Sequence, residues 1–285
     1  MQGIKHETNV MDCFYIEKLT FREGIYYAGN IPDEGELNVN NEGMQISSID
    51  DDAGFWYKHR LSCISHVIKK WLSLGCSFVD IGGGEGRLSW ILQSDGFDVA
   101  LVDPVHIRTE RAKERGVNQI VCGLFDASTI KANSVPAIGL FDVLEHIEHD
   151  RDFLEGILPM IASQGKIFVT VPAHNFLWSK KDNVTRHCRR YSLRQLKNLL
   201  KICGCEILYA SYYFSILFPV MLLLKVLPYR IFGSKNSDDG KGTDIVSFQK
   251  EHMRGGDFAF SLLAFERLLI RRGIKIPFGT SCILV

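Results

Sequence analysis

Residues 78–87 read Phe78-Val-Asp-Ile-Gly-Gly-Gly-Glu-Gly-Arg87. Phe78, Val79 and Ile81 give the apolar pattern of a buried strand, and glycine then fills four of the five positions 82–86. Such a turn carries almost no Cβ atoms and takes positive φ without strain. Glycines are costly in chain entropy, so this density predicts a ligand resting against main-chain atoms. A second apolar strand, Val99-Ala-Leu-Val102, ends on Asp103. Strand, glycine turn, helix and a second strand ending in an acid make a nucleoside-binding βαβ half, with the carboxylate placed to accept both ribose hydroxyls. The turn spells GxGxG through Gly82, Gly84 and Gly86. The dinucleotide fingerprint GxGxxG would require glycine where Arg87 stands.

Outward from this half the chain alternates as α/β proteins do. Strands are predicted at 78–81, 98–102, 118–122, 136–141, 165–171, 205–213 and 280–285. Helices are predicted at 55–74, 86–94, 106–115, 150–162, 192–203 and 258–272. The expected fold is α/β: a Rossmann-like, seven-stranded, mostly parallel sheet with an antiparallel last strand. Four parts follow. Residues 1–54 form a polar, acidic extension or cap in which Phe14-Tyr-Ile16 and Gly24-Ile-Tyr-Tyr-Ala28 could be strands. Residues 55–213 form the ligand-binding core, 214–277 an apolar helical insertion, and 278–285 the terminal strand.

Net charge is zero over 285 residues, which argues against a nucleic-acid partner. The charge is uneven: residues 1–60 hold eleven acids against five Lys/Arg, and 180–235 hold eleven Lys/Arg against two acids. Eight cysteines show no CxxC pair, and the polar start Met1-Gln-Gly-Ile-Lys-His-Glu7 shows no signal peptide. Both point to a reducing, cytoplasmic setting. The apolar run 207–227 invites a membrane span. Once 207–213 is taken as strand, 14 residues remain, about 21 Å of helix against a hydrocarbon core of about 30 Å. The readings left for 214–232 are contact with a membrane surface (the inner face), a homodimer, or packing on the core.

The stretch Phe78–Arg87, with Asp103, Asp126 and Phe141-Asp-Val-Leu-Glu-His-Ile147, resembles class I S-adenosylmethionine-dependent methyltransferases. The last motif is similar to the branch that includes ubiquinone-biosynthesis methyltransferases. Val171-Pro-Ala-His-Asn-Phe-Leu-Trp-Ser179, Asp182, His187-Cys-Arg-Arg-Tyr191 and Pro277-Phe-Gly-Thr-Ser281 are similar to a bacterial subgroup of it. The resemblance runs over about residues 55–285. It implies S-adenosylmethionine as donor and S-adenosylhomocysteine as product. Asp80 and Gly82 would lie by the methionine moiety, Gly84 and Gly86 beneath it, Asp103 on the ribose and Asp126 by the adenine. Phe141 and Asp142 would stand at the sulfonium side.

Methyl transfer from a sulfonium is an in-line displacement, so the enzyme mainly supplies orientation and a dry site. A hydroxyl acceptor also gains from a base, and histidine has the fitting pKa. His146, His174 and His187 all fall in loops after strands, at the edge where open α/β sheets bind ligands. Each has a bland alternative as a backbone-bonded loop histidine. Arg189 and Arg190 could hold an acceptor's carboxylate or phosphate, or form a solvated basic loop. Trp178, Asp182 and Tyr191 share that loop and favour acceptor recognition. No HxxxH or paired-cysteine spacing suggests a metal. The function expected is methylation, oxygen first, of a small or lipid-linked acceptor with an anionic group. The rivals are an NAD(P)-dependent oxidoreductase and a non-catalytic scaffold that keeps the fold.

Overall fold

The computed structural model describes residues 9–29, 31, 54–216, 218–219 and 256–285. One mixed sheet organises them. Its strands are β1 (Leu19–Arg22), β2 (Ile25–Ala28), β3 (Ser77–Ile81), β4 (Asp98–Asp103), β5 (Gln119–Cys122), β6 (Val135–Phe141), β7 (Ile161–Pro172), β8 (Ala210–Tyr213) and β9 (Ser281–Leu284). Their spatial order is β1-β2-β5-β4-β3-β6-β7-β9-β8. Every pairing from β2 to β7 is parallel, whereas β9 runs antiparallel to both β7 and β8. β3 is flanked by β4 and β6, so the chain winds away from it in both directions. In open α/β sheets, ligands bind at such a switch point, beyond the strands' carboxyl ends.

Helices cover both faces. On one side lie α1 (Phe55–Trp71), α2 (Arg87–Ser94) and α7 (Gly256–Arg272); on the other lie α4 (Asp150–Ile157) and α6 (Leu193–Ile202). α3 (His106–Glu114) packs against β4 and β5. The short α5 (Lys180–Val184) sits in the loop after β7. Ile64, Val67 and Ile68 of α1 are almost wholly buried with Phe78, Leu92 and Phe168. Each such side chain contributes about 1.5–3 kcal/mol of transfer free energy. α6 starts on a capping box in which Ser192 and Gln195 satisfy each other's backbone N–H.

The expected class and the antiparallel last strand are both present, but the sheet has nine strands rather than seven. The two extra strands come from the N-terminal extension. Val10 and Phe14 are fully buried, the Val10 N–H donates to Asp98, and Phe14 bridges to Ile130. β1 and β2 turn over Glu23 and Gly24, both with positive φ as a tight hairpin requires. β2 then adds parallel to β5. Thr20, Phe21 and Arg22 are all exposed, so β1 lacks the alternation that reveals a half-buried strand. Three bounds also differ. Pro159 tightens the end of α4 into a 3-10 turn at Leu158–Met160, and β7 begins at Ile161, with a register shift against β6. β8 starts at Ala210, not 205. The insertion lies mostly outside the described residues, including 220–255 and with it most of the expected contact surface 214–232. Among the described residues, no helix is long and apolar enough to cross a membrane.

Candidate active site

The glycine turn joins β3 to α2. Its Gly84 N–H donates to Asp103 Oδ2 at 2.9 Å, and the Val105 N–H donates to Oδ1 at 2.9 Å. Asp103 is thus tied to the turn from the end of the adjacent strand, with Arg108 at 3.7 Å. Burial pushes its carboxyl up, against the pull of Arg108 and the two backbone bonds. The glycines do different work. A Cβ on Gly86 would lie 2.7 Å from Val117 Cγ2 and 2.9 Å from Ala112 Cβ, so that position serves packing. A Cβ on Gly84 would meet no atom within 4 Å, so the turn is bare towards open space there. Asp80 lies beneath the turn, nearly fully buried, and accepts the Ser89 hydroxyl at 2.6 Å. Burial pushes it up to about 6, despite Ser89 and nearby Arg60. Gly82 begins the turn at φ +68°. Asp126 accepts the Ser128 N–H at 2.8 Å and so braces its own loop.

At the end of β6, Phe141 stacks on Phe78 with centroids 6.3 Å apart. Asp142 takes φ +59°, which a non-glycine residue rarely adopts. Its N–H donates to Thr170 O at 2.9 Å, and its carboxylate accepts Thr170 Oγ1 at 3.0 Å and Arg60 Nη2 at 2.9 Å. Arg60 comes from α1 and gave no signal in the sequence. Its Nε is buried and has no hydrogen-bond partner. Glu145, fully buried, has no partner on either carboxyl oxygen, and burial pushes its pKa well up.

Asp182 is the hub of the basic loop. It is 1% exposed and accepts Arg190 Nε at 2.7 Å, Arg190 Nη2 at 2.9 Å, His187 Nδ1 at 2.8 Å and the Ser179 N–H at 2.7 Å. Burial alone would raise its pKa, but the bonds from His187 and Arg190 hold it below the usual carboxylate range. Arg189 Nη1 donates to Asp150 at 3.0 Å, and Tyr191 Oη donates to the same oxygen at 2.6 Å. Both guanidinium groups therefore already grip carboxylates of the chain itself. Trp178, partly exposed, donates to Asn183 at 2.8 Å. The His146 and His187 rings meet edge to face, centroids 4.8 Å apart, and burial with the neighbouring His187 brings His146 down to about 4. Glu145, His146 and His187 bring one potential ligand atom each within 4.8 Å of one another. Sequence spacing hid this because 145–146 and 187 belong to different loops. His174 stands apart, after β7, between Phe176 at 5.0 Å and Tyr212 at 5.1 Å, with its Nε2 unpartnered.

The sequence profile of the methyltransferase domain matches residues 55–210, more than half of the chain. The chain belongs to the methyltransferase-domain family. It is an S-adenosylmethionine-dependent methyltransferase, which decides between methyl and hydride transfer. No curated protein matches the methyltransferase. Among solved structures, it is similar to a chain of the complex between the Haloferax volcanii Trm112 methyltransferase activator and a methyltransferase. That likeness has TM-score 0.51 and 14% identity, over 61% of this chain and 79% of that one. A plantazolicin methyltransferase, BpumL, in complex with a pentazolic desmethylPZN analog and SAH, gives TM-score 0.49 and 16% identity over 64% and 82%. A TehB-like SAM-dependent methyltransferase from Corynebacterium glutamicum gives 0.42 and 20% over 52% and 76%.

The methyltransferase's own residues fit the donor. The bare turn at Gly84 and the carboxylate of Asp103 suit an adenosyl group, and the unpartnered Arg60 Nε suits an amino-acid carboxylate.

Proposed function

We propose that this methyltransferase moves the methyl group to an oxygen of a small or lipid-linked acceptor, with His187 as general base. The donor would lie over Gly84, with Asp103 on the ribose, Asp126 towards the adenine, and Arg60 and Asp80 at the methionine end. It supplies an already activated methyl carbon; the chain supplies alignment, dryness and a proton acceptor. The observation that carries the proposal is the pairing of Asp182 with His187. Asp182 is held ionised by its donors and takes the Nδ1–H of His187. That fixes the tautomer and leaves Nε2 with a lone pair for a hydroxyl proton. His146, neutral beside it, lends a second imidazole without a competing charge. Asp150 and Asp182 neutralise the guanidinium groups of Arg189 and Arg190, so both arginines would brace the acceptor loop rather than hold an anionic group of the acceptor. Trp178 and His174 would flank the acceptor's body, while Tyr191 holds the loop.

Methyl-labelled S-adenosylmethionine, incubated separately with simple phenols, carboxylic acids and primary amines, tests the reading. Label on phenols, falling about 10²–10⁴-fold in His187→Gln, is the expected outcome. Label on amines alone, or His187→Gln at the wild-type rate, rejects it.

A further inference from the structure

Between α1 and α7 the chain buries a polar node that takes no part in the chemistry above. His59 and Cys63 are fully buried and Glu266 nearly so. His59 Nε2 lies 2.7 Å from Glu266 Oε1, Cys63 Sγ lies 3.4 Å from that same nitrogen, and Arg267 Nη1 lies 3.3 Å from His59 Nδ1. A guanidinium only donates, so Nδ1 accepts and the ring proton sits on Nε2, directed at Glu266. Nε2 then has no lone pair to offer a cation. The three side chains, though their ligand atoms fall within 4.8 Å of one another, therefore form a hydrogen-bonded node. Burial pushes Glu266 up, but the bonds from His59 and Ser215 outweigh it and keep the carboxylate ionised. Burial likewise keeps His59 neutral against the pull of Glu266.

Glu266 reaches a third element as well. It accepts the N–H groups of Phe214 and Ser215, both at 2.6 Å, and the Ser215 hydroxyl. Phe214 leaves β8 with φ +58° and stacks on Trp56 of α1 at 3.6 Å. One carboxylate thus clamps α7, the exit from β8 and α1 together. One residue beyond His59, Arg60 points to Asp142 and Thr170 at the rim of the site.

We propose that Glu266 is a positioning residue for donor binding: by fixing α1 through His59 and Phe214, it sets where the Arg60 guanidinium stands. This rests on the reading that Arg60 faces the donor. It places a determinant of donor affinity on a helix beyond the residues 55–210 matched by the family.

A double-mutant cycle read by calorimetric titration with S-adenosylhomocysteine tests it. Glu266→Gln keeps the side chain's size but loses the charge and one acceptor oxygen. It is expected to weaken binding roughly five- to tenfold in the wild-type background, but less than about twofold in an Arg60→Ala background, because its effect passes through Arg60. Multiplying effects, or wild-type affinity in Glu266→Gln, overturn the positioning role while leaving the donor site standing. Wild-type affinity in Arg60→Ala instead overturns the placement of Arg60, and the proposal with it. If Glu266→Gln does not fold, His59→Gln takes its place in the cycle, and full additivity with Arg60→Ala is then the overturning result.

Discussion

Replacing Gly84 with alanine separates the two tasks that a glycine turn can have. At φ +58° the new side chain pays left-handed strain of about 1–2 kcal/mol. Nothing in the folded chain lies within 4 Å of the added methyl, so no clash adds to that cost. In a chain of this length the melting temperature should fall by roughly 2–3 °C. This strain is present with and without donor and cancels from the affinity. The methyl itself does not cancel if the donor lies where proposed, because it would fill the surface beneath the donor. An overpacked contact costs about 1–3 kcal/mol, or roughly five- to 150-fold in the dissociation constant of S-adenosylhomocysteine. Gly86→Ala is the control. Its Cβ would meet Val117 and Ala112 at 2.7 and 2.9 Å, so stability should drop further than in Gly84→Ala. Calorimetric titration gives the affinities and circular-dichroism melts give the stabilities. A folded Gly84→Ala protein that binds S-adenosylhomocysteine within about twofold of wild type would refute the placement of the donor on this turn.

Two further substitutions probe buried acids. Burial pushes the Asp80 carboxyl up to about 6 in the folded state, above the ordinary aspartate value of about 3.9. The folded state therefore binds that proton more tightly than the unfolded chain does, and Asp80 becomes less destabilising as pH falls from above 6 towards 4. Asp80→Asn should stabilise the protein at pH 7.5 by up to about 3 kcal/mol, with the gap narrowing to about 1 kcal/mol at pH 4.5. Urea unfolding at both values decides it, and a gap independent of pH removes the cause given. Asp182→Asn strips the hub from Arg190 and His187 and should cost about 3–5 kcal/mol, since a buried cation loses its partner. A melting temperature unchanged from wild type would show that the loop does not depend on this carboxylate.

The glycine turn and Asp103 were legible because β3 and β4 are central strands, and their continuous apolar pattern fixes both register and carboxyl ends. The basic loop was legible as a cluster but not as a circuit. Arg189 and Arg190 read as free cations until Asp150, distant in sequence, and Asp182, in the short helix α5, came to face them. Arg60 was invisible because an arginine on an amphipathic helix has no local mark of its partner, and Asp142 lies 82 positions further on. The link from His59 to Glu266 spans 207 positions and is closed only by the packing of α1 on α7. Local periodicity sets which face of an element is buried. Which polar groups then meet on that face is decided by the fold as a whole.

The strand ends show why such distant partners matter. Asp142, His174 and Phe214 follow β6, β7 and β8, and all three take positive φ without being glycine. Each such residue costs on the order of 1–3 kcal/mol and persists only where its surroundings over-determine it. The clamps are present. Asp142 is held by Arg60 from α1 and by Thr170; the His174 N–H donates to Tyr191 O at 2.9 Å; the Phe214 N–H donates to Glu266 of α7. Strain thus gathers along the carboxyl edge of the sheet, and elements remote in sequence hold it there. A sulfonium donor carries its own activation, so the enzyme's contribution is to align acceptor and methyl in line, and a misplacement of about 1 Å can cost about 10²-fold. A rim clamped from several sides meets that demand in a way a relaxed loop would not.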